Sequence, residues 1–93
     1  MKFDAEIIGT EGDYSLVAWE GRRFPGLLVQ GDSLSILLDT LEESISELRE
    51  GNVDDGMFAL EAALAAVRSM IGSYERLMAY SGHPLPYAPR GNG

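Results

Sequence analysis

Between residues 57 and 78 the apolar side chains step by three and four without a break: Met57, Leu60, Leu64, Val67, Ile71, Tyr74 and Met78. On a helix these positions form one stripe, and heptad spacing asks for a second helix against it at a shallow angle of about 20°. A partner lies just upstream. Leu34, Leu38, Leu41, Ile45 and Leu48 repeat the same stepping with Leu37 beside them, and Gly51 stands where a left-handed helix end belongs. The spacing therefore predicts an antiparallel hairpin, with a first helix over about residues 33–50 and a second from after Asn52 to about Ser81. Asp32 or Ser33 supplies the first N-cap, and Asp54 and Asp55 face the positive end of the second helix dipole.

Ahead of Gly31 the period is two. Phe3, Ala5 and Ile7 alternate with Asp4 and Glu6, Tyr14 to Trp19 favour a pleated surface, and a third strand runs from Phe24 or Gly26 to Gln30 with Pro25 at its entry. The expected fold is α+β, a three-stranded antiparallel sheet in the order 1-2-3 packed on a long two-helix antiparallel hairpin. Residues 1–83 form its single domain and residues 84–93 a Pro/Gly-rich tail whose last residues are expected to be disordered. The expected inward positions are Phe3, Ala5, Ile7, Val17, Leu28, Leu34, Leu38, Leu41, Ile45, Leu60, Leu64, Val67 and Ile71.

The helices are unequal, about 27 Å and about 42 Å at 1.5 Å per residue, so the end of the second outruns the first. Tyr74, Leu77, Met78 and Tyr80 must pack there on the sheet, on the tail or on another molecule. With Tyr87 they make a candidate dimer interface, since Tyr and Met are enriched at such surfaces; the other outcome is a tail folded back with Leu85 and Tyr87 over the sheet.

Charge narrows the function. Fifteen acids against seven bases give a net charge of -8 over 93 residues, which argues against direct nucleic-acid binding. The absence of cysteine removes disulfides and thiolate metal sites and permits a cytoplasmic location. Neither a secretory leader nor a membrane span is expected, because Asp4 and Glu6 interrupt the one candidate and Glu61 and Arg68 the other. His83, the single histidine, lies in the Pro-rich tail, so no catalytic base is anchored in a core, and no metal or cofactor is expected. A chain of this size also lacks room for a deep cleft.

Two charged features remain. Asp39, Glu42, Glu43, Glu47 and Glu50 form an acidic ridge opposite the apolar stripe of the first helix. Like charges four residues apart, as in Asp39 with Glu43 and Glu43 with Glu47, disfavour a helix, so the ridge reads either as a solvated face or as a docking surface for a basic partner. Arg22 and Arg23 sit together beside a turn and could hold an anion, the plainer alternative being surface arginines paired with nearby acids.

Phe24-Pro25-Gly26-Leu27, followed by Gln30-Gly31-Asp32-Ser33-Leu34 and an acidic amphipathic helix, resembles the N-terminal domain of HicB-type antitoxins over about residues 14–50. That resemblance implies a β-β-β-α-β scaffold that covers a small RNase toxin; this sequence departs from it in having a long helix where the family has its fourth strand. The whole-chain pattern, with GRRFPGLLVQGDSL in the middle and HPLPY near the end, also resembles small bacterial proteins of no assigned activity. The expectation is a non-enzymatic protein-binding domain of the immunity or antitoxin type, masking a basic surface with its acidic helix face. The alternative is a structural module that pairs with its own copy as a homodimer.

Overall fold

The structure, a computed structural model, describes residues 4–90. Five elements follow one another: β1 (Ala5–Glu11), β2 (Tyr14–Trp19), β3 (Gly26–Leu28), α1 (Gly31–Arg49) and α2 (Val53–Ser81). The strands form one antiparallel sheet in the order β1-β2-β3, so the fold is α+β. Contacts group the chain into two units, one holding the sheet with the chain from Gly72 onward, the other Val29–Ile71.

In the sheet unit a bulge decides which residues face inward. Ile7 pairs with Val17 but Gly9 pairs with Leu16, so one extra residue, Ile8, enters β1 between them. The row Gly9, Leu16 and Leu27 then faces the C-terminal part of α2, and Ile7, Val17 and Gly26 lie on the opposite face. Leu16 and Met78 are fully buried, joined by Tyr74 and Leu77, with Ile8, Leu27, Leu85 and Tyr87 packed around them. Gly9 permits this approach. A Cβ there would stand 3.2 Å from Leu77 Cδ2. On the other face Gly26 leaves room for the Trp19 ring, which a Cβ would meet at 2.8 Å.

This corrects the expected inward set. Ala5 and Ile7 are exposed because a strict alternation from residue 3 does not survive the bulge, and half-buried Val17 and exposed Leu28 lie on the face opposite Leu16 and Leu27; Phe3 lies outside the described residues. Of the places open to Tyr74, Leu77 and Met78, the sheet and the tail are the ones they occupy. The Tyr74 hydroxyl donates to the Pro25 carbonyl at 2.8 Å, and its ring stacks on Tyr87 at 6.4 Å between centroids. Tyr87 in turn donates to the Glu75 carboxylate at 3.0 Å, which fixes the tail against the helix.

A polar cluster closes the edge of the same unit. Ser73 Oγ donates to Glu11 at 2.9 Å, and Arg76 Nε reaches both Glu11 oxygens at 2.9 and 3.0 Å, with its Nη2 also on Oε1. The Arg76 hydrogen bonds, followed by that from Ser73, hold the Glu11 carboxyl below its usual pKa. A lowered folded-state value adds stability above the ordinary pKa that disappears as pH falls through the folded one. Stability should therefore fall as the solution is acidified below about 4.5, and Glu11→Gln should flatten that part of a pH series of urea melts. Burial raises the Tyr74 pKa, and burial followed by the Glu75 hydrogen bond raises that of Tyr87, so stability should fall again above about pH 10.

The second unit is a helical hairpin. α1 starts after Gln30, whose carbonyl accepts from Leu34 N–H. Asp32 is not the cap: it lies in the first turn, where its carboxylate accepts from the Ser33 N–H at 2.8 Å and faces the positive helix end. Gly51 has φ of 84° and ends the helix, with Asn52 N–H returning to the Glu47 carbonyl at 2.9 Å, as the sequence leads one to expect. α2 then begins at Val53. Its first half meets α1 through small residues: Gly56, Ala59 and Ala63 are buried, and Ser44 Oγ donates to the Gly56 carbonyl at 2.8 Å. A Cβ on Gly56 would lie 2.6 Å from Leu48 Cγ and 3.2 Å from the Ser44 carbonyl oxygen. Gly56→Val should therefore part the helices and cost about 1 to 3 kcal/mol in a denaturant melt, despite the better helix propensity of valine over glycine.

Candidate interaction site

The close approach of α1 to α2 sets the exposure of everything around it. With Ser44, Gly56, Ala59 and Ala63 on the inner line, the larger residues stand to one side, where they gain little cover. On α1, Leu34, Leu38, Leu41, Ile45 and Leu48 are 37–57% exposed; on α2, Met57, Leu60, Leu64 and Val67 are 40–46% exposed. All of these except Leu48 and Met57 were expected inside, and the structure puts them outside, because Ser44, Gly56, Ala59 and Ala63 make the close helix contact, with Leu48 against Gly56, and the other large residues stand beside it. Ile71 is half-buried. Both stripes open on the same side of the hairpin. Leu37, Leu41, Leu60, Ala63, Leu64 and Val67 together line an apolar groove of about 230 Å³.

Charged residues border this side. At 100° per residue Glu42 and Arg49 fall on the outer edge of the α1 stripe, and Glu61 and Arg68 on that of α2. All four are exposed. Arg76 with Glu11 is the one salt bridge among the described residues, so Arg49 and Arg68 have no carboxylate partner there.

Apart from Glu42, the acidic ridge lies elsewhere on the hairpin. Asp39, Glu42, Glu43 and Glu50 are exposed, whereas Glu47 is half-buried and accepts a hydrogen bond from Asn52 Nδ2 at 2.8 Å. Glu43 and Glu47 meet Asp55 and Phe58 around a shallow depression, and the Phe58 ring is 75% exposed. Sequence reasoning did not single out Phe58, which breaks the α2 stripe. Among the other candidates, Arg22 lies over Trp19 at 5.8 Å and Arg23 over Phe24 at 5.3 Å, so each guanidinium has its own ring. Tyr80 is 86% exposed while Tyr74, Leu77 and Met78 are buried and Tyr87 is half-buried. His83 belongs to the end of α2: its N–H bonds the Met78 carbonyl at 2.9 Å and its Nδ1 meets Ser81 Oγ at 2.8 Å.

Among the described residues no three His, Cys, Asp or Glu side chains are grouped to hold a metal ion, and no helix is long and apolar enough to cross a membrane. A family model described as a family of unknown function, DUF6959, matches residues 1–87. The chain belongs to the DUF6959 family. No curated protein and no solved structure matches it. For this DUF6959 member the apolar side of the hairpin is thus the feature with the most to explain, since single exposed leucines are ordinary and a continuous field of them is not.

Proposed function

We propose that the protein is a non-enzymatic interaction module that works through the apolar side of its helical hairpin. The observation that carries this reading is the run of nine large apolar residues, each more than a third exposed, arranged as two parallel stripes around one groove. Together they make one continuous apolar field, where a typical monomer surface scatters its exposed large hydrophobics singly. Such a surface is driven out of water by the same effect that builds a core. A photo-cross-linking amino acid placed at Leu41 or Leu64 in living cells should give a discrete higher-mass adduct; absence of any adduct at both positions overturns the reading.

A second reading keeps the ridge as an antitoxin-like docking face for a basic protein surface. It is supported by Phe58, an exposed ring set among Glu43, Glu47 and Asp55, a combination suited to an arginine or lysine side chain. Binding of that kind weakens with salt, and Glu43→Lys with Glu47→Lys should abolish it while leaving the fold intact.

A further inference from the structure

We infer that the apolar side of the hairpin is occupied by a second copy of the same chain, two hairpins closing a four-helix bundle across a two-fold axis. This rests on the interaction reading above and names its partner. Three observations lead to it.

The first is area. A stable two-protein interface of standard size removes about 800 Å² from each partner, and nine large apolar residues, each 37–57% exposed on this one side, supply its apolar centre before any polar edge is counted. A short peptide would cover only part of so long a field, whereas a second hairpin has the same length and the same stripes.

The second is the pattern. Residues stepping by three and four on both helices are the spacing of bundle helices, and one antiparallel pair is half of such a bundle. Within the chain the two helices already meet through Ser44, Gly56, Ala59 and Ala63. The larger residues therefore form a second layer whose natural counterpart is an identical layer facing it.

The third is charge. Each outer edge bears one acid and one base seven residues apart, Glu42 with Arg49 and Glu61 with Arg68, and neither arginine has an ion-pair partner within the described chain. The two are the only basic residues of Val29–Ile71. A two-fold interface presents the same patch from both sides, so a mixed edge finds both of its complements on its own image. A uniformly basic partner would leave the arginines facing like charge. An anionic lipid surface would repel the glutamates of the same edges.

The test is sedimentation equilibrium of the full chain from about 1 to 100 µM, compared with Leu41→Glu/Leu64→Glu. The parent chain should sediment at twice its 10.1 kDa mass and the double variant at a single mass, with the near-ultraviolet signal of Trp19 in the sheet retained. Should the glutamates unfold the hairpin, Leu41→Ser/Leu64→Ser serves instead, with a dissociation constant expected to rise at least about tenfold. A parent chain that stays at 10.1 kDa throughout, or a folded double variant that still pairs like the parent, overturns the proposal. Cross-linking from Leu41 and from Leu64 then separates the two readings. An adduct with a different protein sinks the second copy and spares the interaction module; no adduct sinks both.

Discussion

Tyr74→Ala is expected to lower the unfolding free energy by about 3 to 5 kcal/mol, and Tyr74→Phe by about 1 to 2 kcal/mol. The larger figure follows from burial: Tyr74 is 8% exposed and packs with Leu16, Leu77 and Met78, with Tyr87 stacked beside it. Removing the ring leaves a cavity at the place where strand, helix and tail meet. The smaller figure isolates the hydroxyl. Its loss leaves the carbonyl of buried Pro25 without its donor, and an unmatched buried acceptor carries a desolvation cost. Urea melts of both variants check this, and a loss below about 1 kcal/mol for Tyr74→Ala would mean that the ring is not part of the core.

Leu16→Ala should cost about 2 to 5 kcal/mol, since Leu16 is fully buried and the close backbone at Gly9 leaves little freedom to collapse into the gap. The informative comparison is Leu64→Ala, a leucine of equal size that is 46% exposed in the single chain. Measured at concentrations low enough to keep copies apart, that variant should lose only about 1 kcal/mol. Equal losses at the two sites under those conditions would contradict the assignment of Leu16 to the core and Leu64 to the surface.

The contrast between these leucines marks how far the sequence could be read. Helix boundaries were legible because their signals are local: Gly51 ends α1 at a positive φ, Asn52 precedes α2, and the stepping from Met57 to Met78 runs through one continuous helix. β2 was legible from its residue types over Tyr14–Trp19. The inward face of β1 was not, because the bulge between Ile7 and Gly9 exchanges faces midway and leaves no mark in the alternation ahead of it. The burial of the α1 stripe was misjudged for a different reason. Hydrophobic periodicity reports which residues share a face, and says nothing of what covers that face. The signal that bears on cover was the second series on α2, Gly56, Ala59 and Ala63, also stepping by three and four but made of small residues. Small residues let helix backbones approach and displace the leucines to the flank. The end of α2 was legible as a surplus that needed a partner, and its core role came from the sheet and from Leu85 and Tyr87 of the tail.

The direct measurement of the central claim, that the apolar side of the hairpin is covered by another copy, is the urea unfolding midpoint at chain concentrations a factor of ten apart. Folding coupled to pairing makes stability depend on concentration, by about 1.4 kcal/mol of dimer for each tenfold step. The account predicts a midpoint that rises with every such step, and a shift that vanishes in Leu41→Glu/Leu64→Glu. A midpoint that is the same at all concentrations for the parent chain would contradict it.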